Sequence, residues 1–138
     1  MNIAIVGFDY SFVKKLAEEI ADTLKFTFID FKQCFEKVLL EQKSVFEEDE
    51  NLQQAESQMV KELCLAKNVV VAFPDDVVLS NKNYKKLKNN LILFINSQKL
   101  NNLQLNLKKL IKNINIEINE ENFNFEDIIN KIRGYYDR

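Results

Sequence analysis

The 138-residue sequence predicts an α/β protein in which a parallel sheet carries helices on both faces. Short apolar runs without polar alternation recur along the chain, as in strands that are buried on both faces. Segments whose apolar residues follow helical spacing separate these runs. Strands and helices alternate five times, without an internal repeat or a linker. This alternation indicates one domain over residues 1–138.

The first strand and the first helix are predicted from residues 1–15, MNIAIVGFDYSFVKK. Residues 3–6 form an unbroken apolar run, and Gly7 ends it. Asp9 and Ser11 then offer N-cap side chains to a helix. The apolar side of that helix consists of Phe12, Val13, Leu16, Ala17, Ile20 and Leu24. Strand, glycine, short loop and helix form the frame on which P-loop proteins hold a phosphate.

The remaining elements follow in alternation. Four strands are predicted from β-branched and aromatic runs at residues 26–29, 69–73, 91–95 and 114–118. Five helices are predicted from helical spacing at residues 31–39, 47–67, 81–90, 100–114 and 125–132. Residues 69–73 (VVVAF) are the least polar run, so we expect a central, fully buried strand beside the first. Pro74 ends it.

The composition excludes several classes of function. A net charge of -2 gives no basis for a nucleic-acid partner or an anionic membrane surface. No apolar stretch is long enough to span a bilayer, and Met1 leads directly into the first strand. We therefore expect a cytoplasmic protein without a membrane partner, whose oligomeric state the sequence leaves open.

Missing residue types also limit the chemistry. The chain has no histidine, which removes the commonest general base and metal ligand. Its two glycines cannot form a phosphate nest, and its only arginines are Arg133 and Arg138. Cys34 and Cys64 lack metal-ligand spacing and are expected to be buried thiols. No metal site and no cofactor are therefore expected.

The phosphate-binding motif itself is not kept. The working sequence is G-x-x-x-x-G-K-[ST], in which backbone N–H groups and a lysine hold the phosphates. Phe12 stands in place of its second glycine and Val13 in place of its lysine. Its first glycine alone is present, at Gly7, and Lys14 lies one place past the expected lysine. The sequence thus predicts the frame of a phosphate site without its cradle.

Three stretches of the chain resemble shikimate kinase. They are IAIVGF with the helix and FTFID that follow it, then VVVAFPDDVVLSNKNYKKLKNNLILFINS, and finally INIEINEENFNFEDIINKI. The resemblance implies the nucleoside-monophosphate-kinase-like P-loop fold, a three-layer domain whose five-stranded parallel sheet has the order 2-3-1-4-5. Between Ser97 and Ile114 the chain is too short for the arginine-bearing lid of that family, so the resemblance implies a single domain that lacks the lid.

Several functional positions of the family differ in this sequence. Asp30 matches the first member of an acidic pair that serves magnesium and the substrate hydroxyl, but Lys32 replaces the second. Gln53 stands where an arginine would hold the shikimate carboxylate, and Glu56 is kept. The family's glycine triplet beside the substrate is replaced by Pro74, Asp75 and Asp76. The resemblance therefore implies a degenerate member with no catalytic residues.

The resulting hypothesis is a pseudoenzyme that acts by binding a protein or a small cationic ligand. Two alternatives remain: a shikimate kinase that uses ATP and Mg²⁺, and residual nucleotide binding without turnover.

Individual residues also keep two interpretations. Either Asp9 and Asp30 are magnesium ligands, or Asp9 caps a helix and Asp30 ends a strand. Lys14 docks a phosphate, or lies on a solvated helix face. Asp75 and Asp76 face a ligand, or are turn residues.

Overall fold

A computed structural model describes residues 2–41, 49–79, 85–87, 90–96 and 114–136. Of the helix predicted at residues 81–90, the described part is residues 85–87, which are helical, and Asn90. The helix predicted at residues 100–114 lies outside the described residues, apart from Ile114. Within the described ranges, no helix is long and apolar enough to cross a membrane.

The described residues form five strands and five helices of at least one full turn. The strands are β1 (Ile3–Gly7), β2 (Thr27–Asp30), β3 (Val69–Phe73), β4 (Leu91–Asn96) and β5 (Ile116–Asn119). The helices are α1 (Tyr10–Leu24), α2 (Phe31–Glu41), α3 (Asp49–Leu65), α4 (Asp75–Leu79) and α5 (Phe125–Tyr136).

All neighbouring strands are parallel, and their order is β2-β3-β1-β4-β5, as predicted. Ile3 pairs with Val70 on one side and with Leu91 on the other. β1 therefore holds the middle position, as the predicted order requires, and β3 is an interior strand. β3 does neighbour β1 and is fully buried, as expected. Its lower polarity reflects burial on both faces, which β1 and most of β4 share.

The core has two halves, because alternate residues of each strand point to opposite faces of the sheet. Ile3 and Ile5 pack with the apolar sides of α1 and α5. Ala4 and Val6 pack on the other face, with Phe31 of α2 and with residues from α3 and α4. The helices therefore cover both faces, and the predicted three-layer α/β class is confirmed.

α2 and α3 are more weakly buried than the sequence predicts. Phe31 is the buried side chain of α2. On α3 the predicted inner stripe, made of Leu52, Ala55, Met59 and Leu63, is only half-buried, and Val60 is the fully buried residue. Cys34 and Cys64, expected to be buried, are half-buried as well.

Asn2 joins three elements at the amino-terminal edge of the sheet. Its side chain is only 3% exposed. Its Nδ2 group donates to the backbone carbonyls at the end of α3, those of Leu63, Cys64 and Ala66. Its Oδ1 accepts the N–H of Val69 at 3.3 Å, and its backbone carbonyl accepts the N–H of Leu91 at 2.8 Å. One buried amide thus satisfies backbone groups that would otherwise be buried without partners.

Candidate functional site

The turn between β1 and α1 is short, because α1 begins at Tyr10, three residues after Gly7. Asp9 has extended backbone angles, and its carboxylate accepts the N–H of Phe12 at 3.3 Å. Its carbonyl accepts the N–H of Val13 at 3.0 Å. The predicted N-cap role of Asp9 is confirmed. Ser11, the other predicted cap, is an exposed residue in the first turn of the helix.

Of the predicted phosphate-loop positions, those from Tyr10 onward lie inside a helix. Phe12, in place of the second glycine, packs edge to face on Phe123 with the ring centroids 5.6 Å apart. Val13, in place of the lysine, is 0% exposed and belongs to the core. These side chains hold the start of α1 against the fold. They are not directed toward a ligand above the strand ends.

Gly7 allows a close approach between β1, α1 and β4. A Cβ atom at this position would lie 2.9 Å from Cγ2 of Val13 and 3.0 Å from Cβ of Ile95. It would also lie 3.3 Å from the carbonyl oxygen of Ile95. Such distances are too short for an ordinary contact, and both partners are buried. Packing alone accounts for this glycine.

Tyr10 connects the start of α1 to the ends of β2 and β3. Its hydroxyl donates to Oδ1 of Asp30 and lies 3.2 Å from the carbonyl oxygen of Ala72. The same hydroxyl oxygen accepts the N–H of Lys32 at 3.4 Å. Oδ1 of Asp30 also accepts the N–H of Gln33 at 3.2 Å, so Asp30 caps α2. No pattern in the sequence predicts this role of Tyr10.

Lys14 faces the same carboxylate, and Lys32 lies over the Tyr10 ring. Nζ of Lys14 lies 3.8 Å from Oδ2 of Asp30, the side chains being 46% and 11% exposed respectively. Nζ of Lys32 lies 5.8 Å from the centroid of the Tyr10 ring. Asp30 therefore ends its strand and holds protein groups, which is the second of its two predicted interpretations. In the part of the chain that the structure describes, no three potential metal ligands form a cluster.

Burial raises the pKa of the Tyr10 hydroxyl above its usual range, and the hydrogen bond to Asp30 raises it further. Both effects favour the neutral phenol. The reason is that a phenolate would lose hydration and would face a carboxylate at hydrogen-bond distance. The phenol thus remains a donor to Asp30 throughout the physiological pH range.

Asp75 and Asp76 are not turn residues, as one interpretation of the sequence had them, but form the first turn of α4. The N–H of Asp76 donates to Oδ1 of Asp75 at 2.9 Å, and the N–H of Val77 donates to Oδ1 of Asp76 at 3.0 Å. Carboxylates stabilise a helix at this end, because the free N–H groups carry partial positive charge. Pro74 before them is half-buried and ends β3.

The predicted site residues thus share one edge of the sheet without forming one group. Asp9, Asp30 and Asp75 follow the carboxyl ends of β1, β2 and β3, which meet at that edge. Of the predicted residues, the structure brings Lys14 to Asp30, whereas Lys32 contacts Tyr10. Asp9 and the pair at the start of α4 each hold N–H groups of their own helix. Phe123, which packs on Phe12, was missed as well.

The comparisons with known proteins identify the family. The family model for shikimate kinase matches residues 14–131, which is most of the chain; Gly7, Phe12 and Val13 lie before the match. The chain belongs to the shikimate kinase family. No curated protein matches its sequence.

Solved structures agree with the fold. Shikimate kinase from Aquifex aeolicus superposes with a TM-score of 0.71 and 18% identity, over 99% of this chain and 96% of that one. Shikimate kinase from Bacteroides thetaiotaomicron also gives a TM-score of 0.71, with 13% identity over 100% and 99% of the two chains. A gluconokinase from Sinorhizobium meliloti gives 0.55, with 13% identity over 94% and 87%. Identities this low show a shared fold.

Two further residues that the resemblance singled out lie on α3. Gln53 is exposed, and Glu56, three residues later on the same side of the helix, is half-buried. A glutamine presents a neutral amide, so this position lacks the fixed charge and the paired donors with which arginine holds a carboxylate.

Gly7→Ala is predicted to destabilise the protein by about 1–3 kcal/mol, because the added methyl group must displace Val13 or the β4 backbone. Gly134→Ala is the matched control. It lies exposed in α5 with no atom within 4 Å of the new Cβ, so the same change should stabilise the helix by about 0.5–1 kcal/mol. Urea denaturation measures both. Equal effects of the two variants would contradict the packing role of Gly7.

The pKa of Tyr10 predicts how stability depends on pH. The folded-state pKa is raised above the ordinary value of about 10. The resulting stabilisation is fully present below pH ~10 and is lost as the pH rises above it. The free energy of unfolding should therefore decline above this pH, and decline less steeply in Tyr10→Phe.

Burial also raises the pKa of Tyr136. The parent protein and Tyr10→Phe share the contribution of Tyr136. The test therefore compares, between these two proteins, the slope of the free energy of unfolding against pH. Identical slopes in alkaline denaturation series would show that Tyr10 does not carry the effect.

Proposed function

We propose that this member of the shikimate kinase family is catalytically inactive and acts by binding a protein or a small ligand. The observation that carries the proposal is the first turn of α1. Tyr10, Phe12 and Val13 adopt helical structure at the positions of the phosphate loop, and Val13 is buried in the core. A loop that curls around phosphate groups cannot form there while this turn persists.

The energetics of phosphoryl transfer support the proposal. Catalysis of this reaction consists of positioning and of stabilising charge on the transferring oxygens. The loop lysine is replaced by a buried valine, and the substrate arginine position holds an exposed glutamine. A charge-assisted hydrogen bond contributes about 1.5–3 kcal/mol, and about 1.4 kcal/mol is a factor of ten in rate. Losing several such contacts removes most of the rate enhancement.

The residues do not fit a magnesium nucleotide. Helix N-termini attract phosphates because their N–H groups are free, but at α1 the carboxylate of Asp9 accepts from Phe12 and repels an approaching anion. Asp30, the remaining carboxylate of the family's acidic pair, holds Tyr10 and Gln33 and lies 3.8 Å from the Lys14 ammonium. A divalent cation would have to displace that ammonium.

The purified protein is therefore expected to release no ADP in response to shikimate in a coupled assay with ATP and magnesium. The Aquifex aeolicus shikimate kinase serves as the positive control. Calorimetry with ATP should likewise give no affinity tighter than the millimolar range. Shikimate-dependent turnover that Asp30→Asn abolishes would establish the kinase alternative. Micromolar ATP binding without turnover would establish residual nucleotide binding.

The partner we propose for this edge is cationic. Asp9 and Asp76 are exposed and Asp75 is half-buried, whereas Lys14 is engaged by Asp30. Carboxylates at adjacent strand ends attract a basic segment of a protein or a small cation, and they repel phosphates. The hydrogen bonds that these carboxylates accept leave their negative charge in place.

A trilysine peptide tests this chemistry by calorimetry. Its binding should weaken as salt is added and should weaken further in the double variant Asp75→Asn, Asp76→Asn, whose amides can still cap α4. The double variant Glu18→Gln, Asp22→Asn removes the same charge from the exposed side of α1 and is the matched control. Equal losses in both variants would mean that the peptide responds to net charge alone.

A further inference from the structure

A cavity of about 380 Å³ lies at the amino-terminal edge of the sheet, at the opposite ends of the strands from the site described above. Its described lining is Asn2, Lys61, Cys64, Leu65, Ala66, Lys86 and Asn90. The volume falls in the range of cavities that bind small molecules. None of these residues belongs to the phosphate-loop, metal or substrate positions of the family.

The charge of the described lining is positive. Lys61 and Lys86 both contribute to the wall, and no carboxylate is among the lining residues that the structure describes. The carbonyl groups at the end of α3 would add partial negative charge, but the buried amide of Asn2 donates to them. Two ammonium groups therefore set the electrostatic preference of this cavity.

Lys86 is held in place rather than extended into solvent. Its Nζ donates to the carbonyl oxygen of Ser57 on α3 at 3.0 Å, and the side chain is half-buried. That bond uses one of the three donors of the ammonium group. Among the residues that the structure describes, neither Lys61 nor Lys86 forms an ion pair. Positive charge held beside a cavity favours an anion.

The rest of the wall is apolar. Cys64, Leu65 and Ala66 line it, and the Leu65 side chain is 74% exposed although it is a large hydrophobic group. Burial raises the pKa of the Cys64 thiol, while a hydrogen bond with the Asn90 side chain and the charge of Lys86 act in the opposite direction. The thiol therefore stays protonated at neutral pH, and it contributes to the wall as a small apolar group.

We propose that this cavity binds a small amphiphilic anion, with its carboxylate at Lys61 and Lys86 and its apolar body against Cys64, Leu65 and Ala66. Burying the exposed Leu65 surface supplies the apolar part of the affinity. The two ammonium groups supply the charge preference. The proposal is independent of whether the protein is a kinase, because it concerns the other edge of the sheet.

Three compounds with the same chain length test the proposal: octanoate, octanol and octylammonium. In a Cys34→Ser background, Cys64 is the only thiol and reports occupancy of the cavity. Octanoate should slow its modification by N-ethylmaleimide several-fold, because a bound chain covers the sulfur. Octanol should protect less and octylammonium least. Octanoate should also raise the thermal midpoint most, since a ligand that binds only the folded protein stabilises it.

Removing one lysine charge at a time shows whether octanoate binds at Lys61 and Lys86. Lys61→Gln and Lys86→Gln should each reduce the protection by octanoate and leave that by octanol unchanged. Lys37→Gln, an exposed lysine on α2, is the matched control and should change neither. Lys61 is exposed, so its variant remains informative even where Lys86→Gln lowers stability. Equal protection by all three compounds, protection that survives both lysine changes, or no protection and no midpoint shift would each overturn the proposal.

Discussion

The contact of α1 with the end of β1 determines the form of the candidate site. Gly7 lets Val13 and Ile95 approach the strand end at distances that no side chain would permit. With Val13 in the core, the helix must begin at Tyr10, and Asp9 then becomes its cap. A hydrophobic contact therefore occupies the chain positions that a P-loop leaves free for phosphate.

The polar groups at this edge are arranged around the carboxylate of Asp30, which binds groups of the protein itself. Asp30 receives a hydrogen bond from Tyr10, caps α2 and faces Lys14 across 3.8 Å. These interactions connect the end of β2 with α1, which contacts both β2 and β3. Charged groups near a strand end often suggest a ligand site, since such edges host ligands in open α/β sheets. Here the same groups supply the hydrogen bonds that hold two helices to the sheet.

The fold class could be predicted from the sequence because its signals are local, whereas the strand order came from the resemblance to shikimate kinase. Apolar runs and helical spacing gave the class, and the cap at Asp9 follows from the residue type before an apolar helix. The site could be predicted only in part. Tyr10 and Asp30 are 20 residues apart, and no local pattern shows that their side chains meet. α4 has five residues, too few for a periodic pattern, so its two aspartates resembled a turn. Gly7 matched a motif, yet contacts in three dimensions explain it.

The position of β1 in the sheet affects how the chain is made. Among the five described strands the middle one comes first along the chain, and its two partner strands follow much later. The Asn2 side chain, for example, bonds to Val69 across 67 residues. Until β3 has left the ribosome, β1 lacks its partner strands and the side-chain amide of Asn2 lacks its hydrogen bond to Val69. Contacts of such long range slow folding, and exposed apolar strands attract one another in the interval. The early chain therefore depends on α1, which can cover one face of β1 as soon as residue 24 emerges.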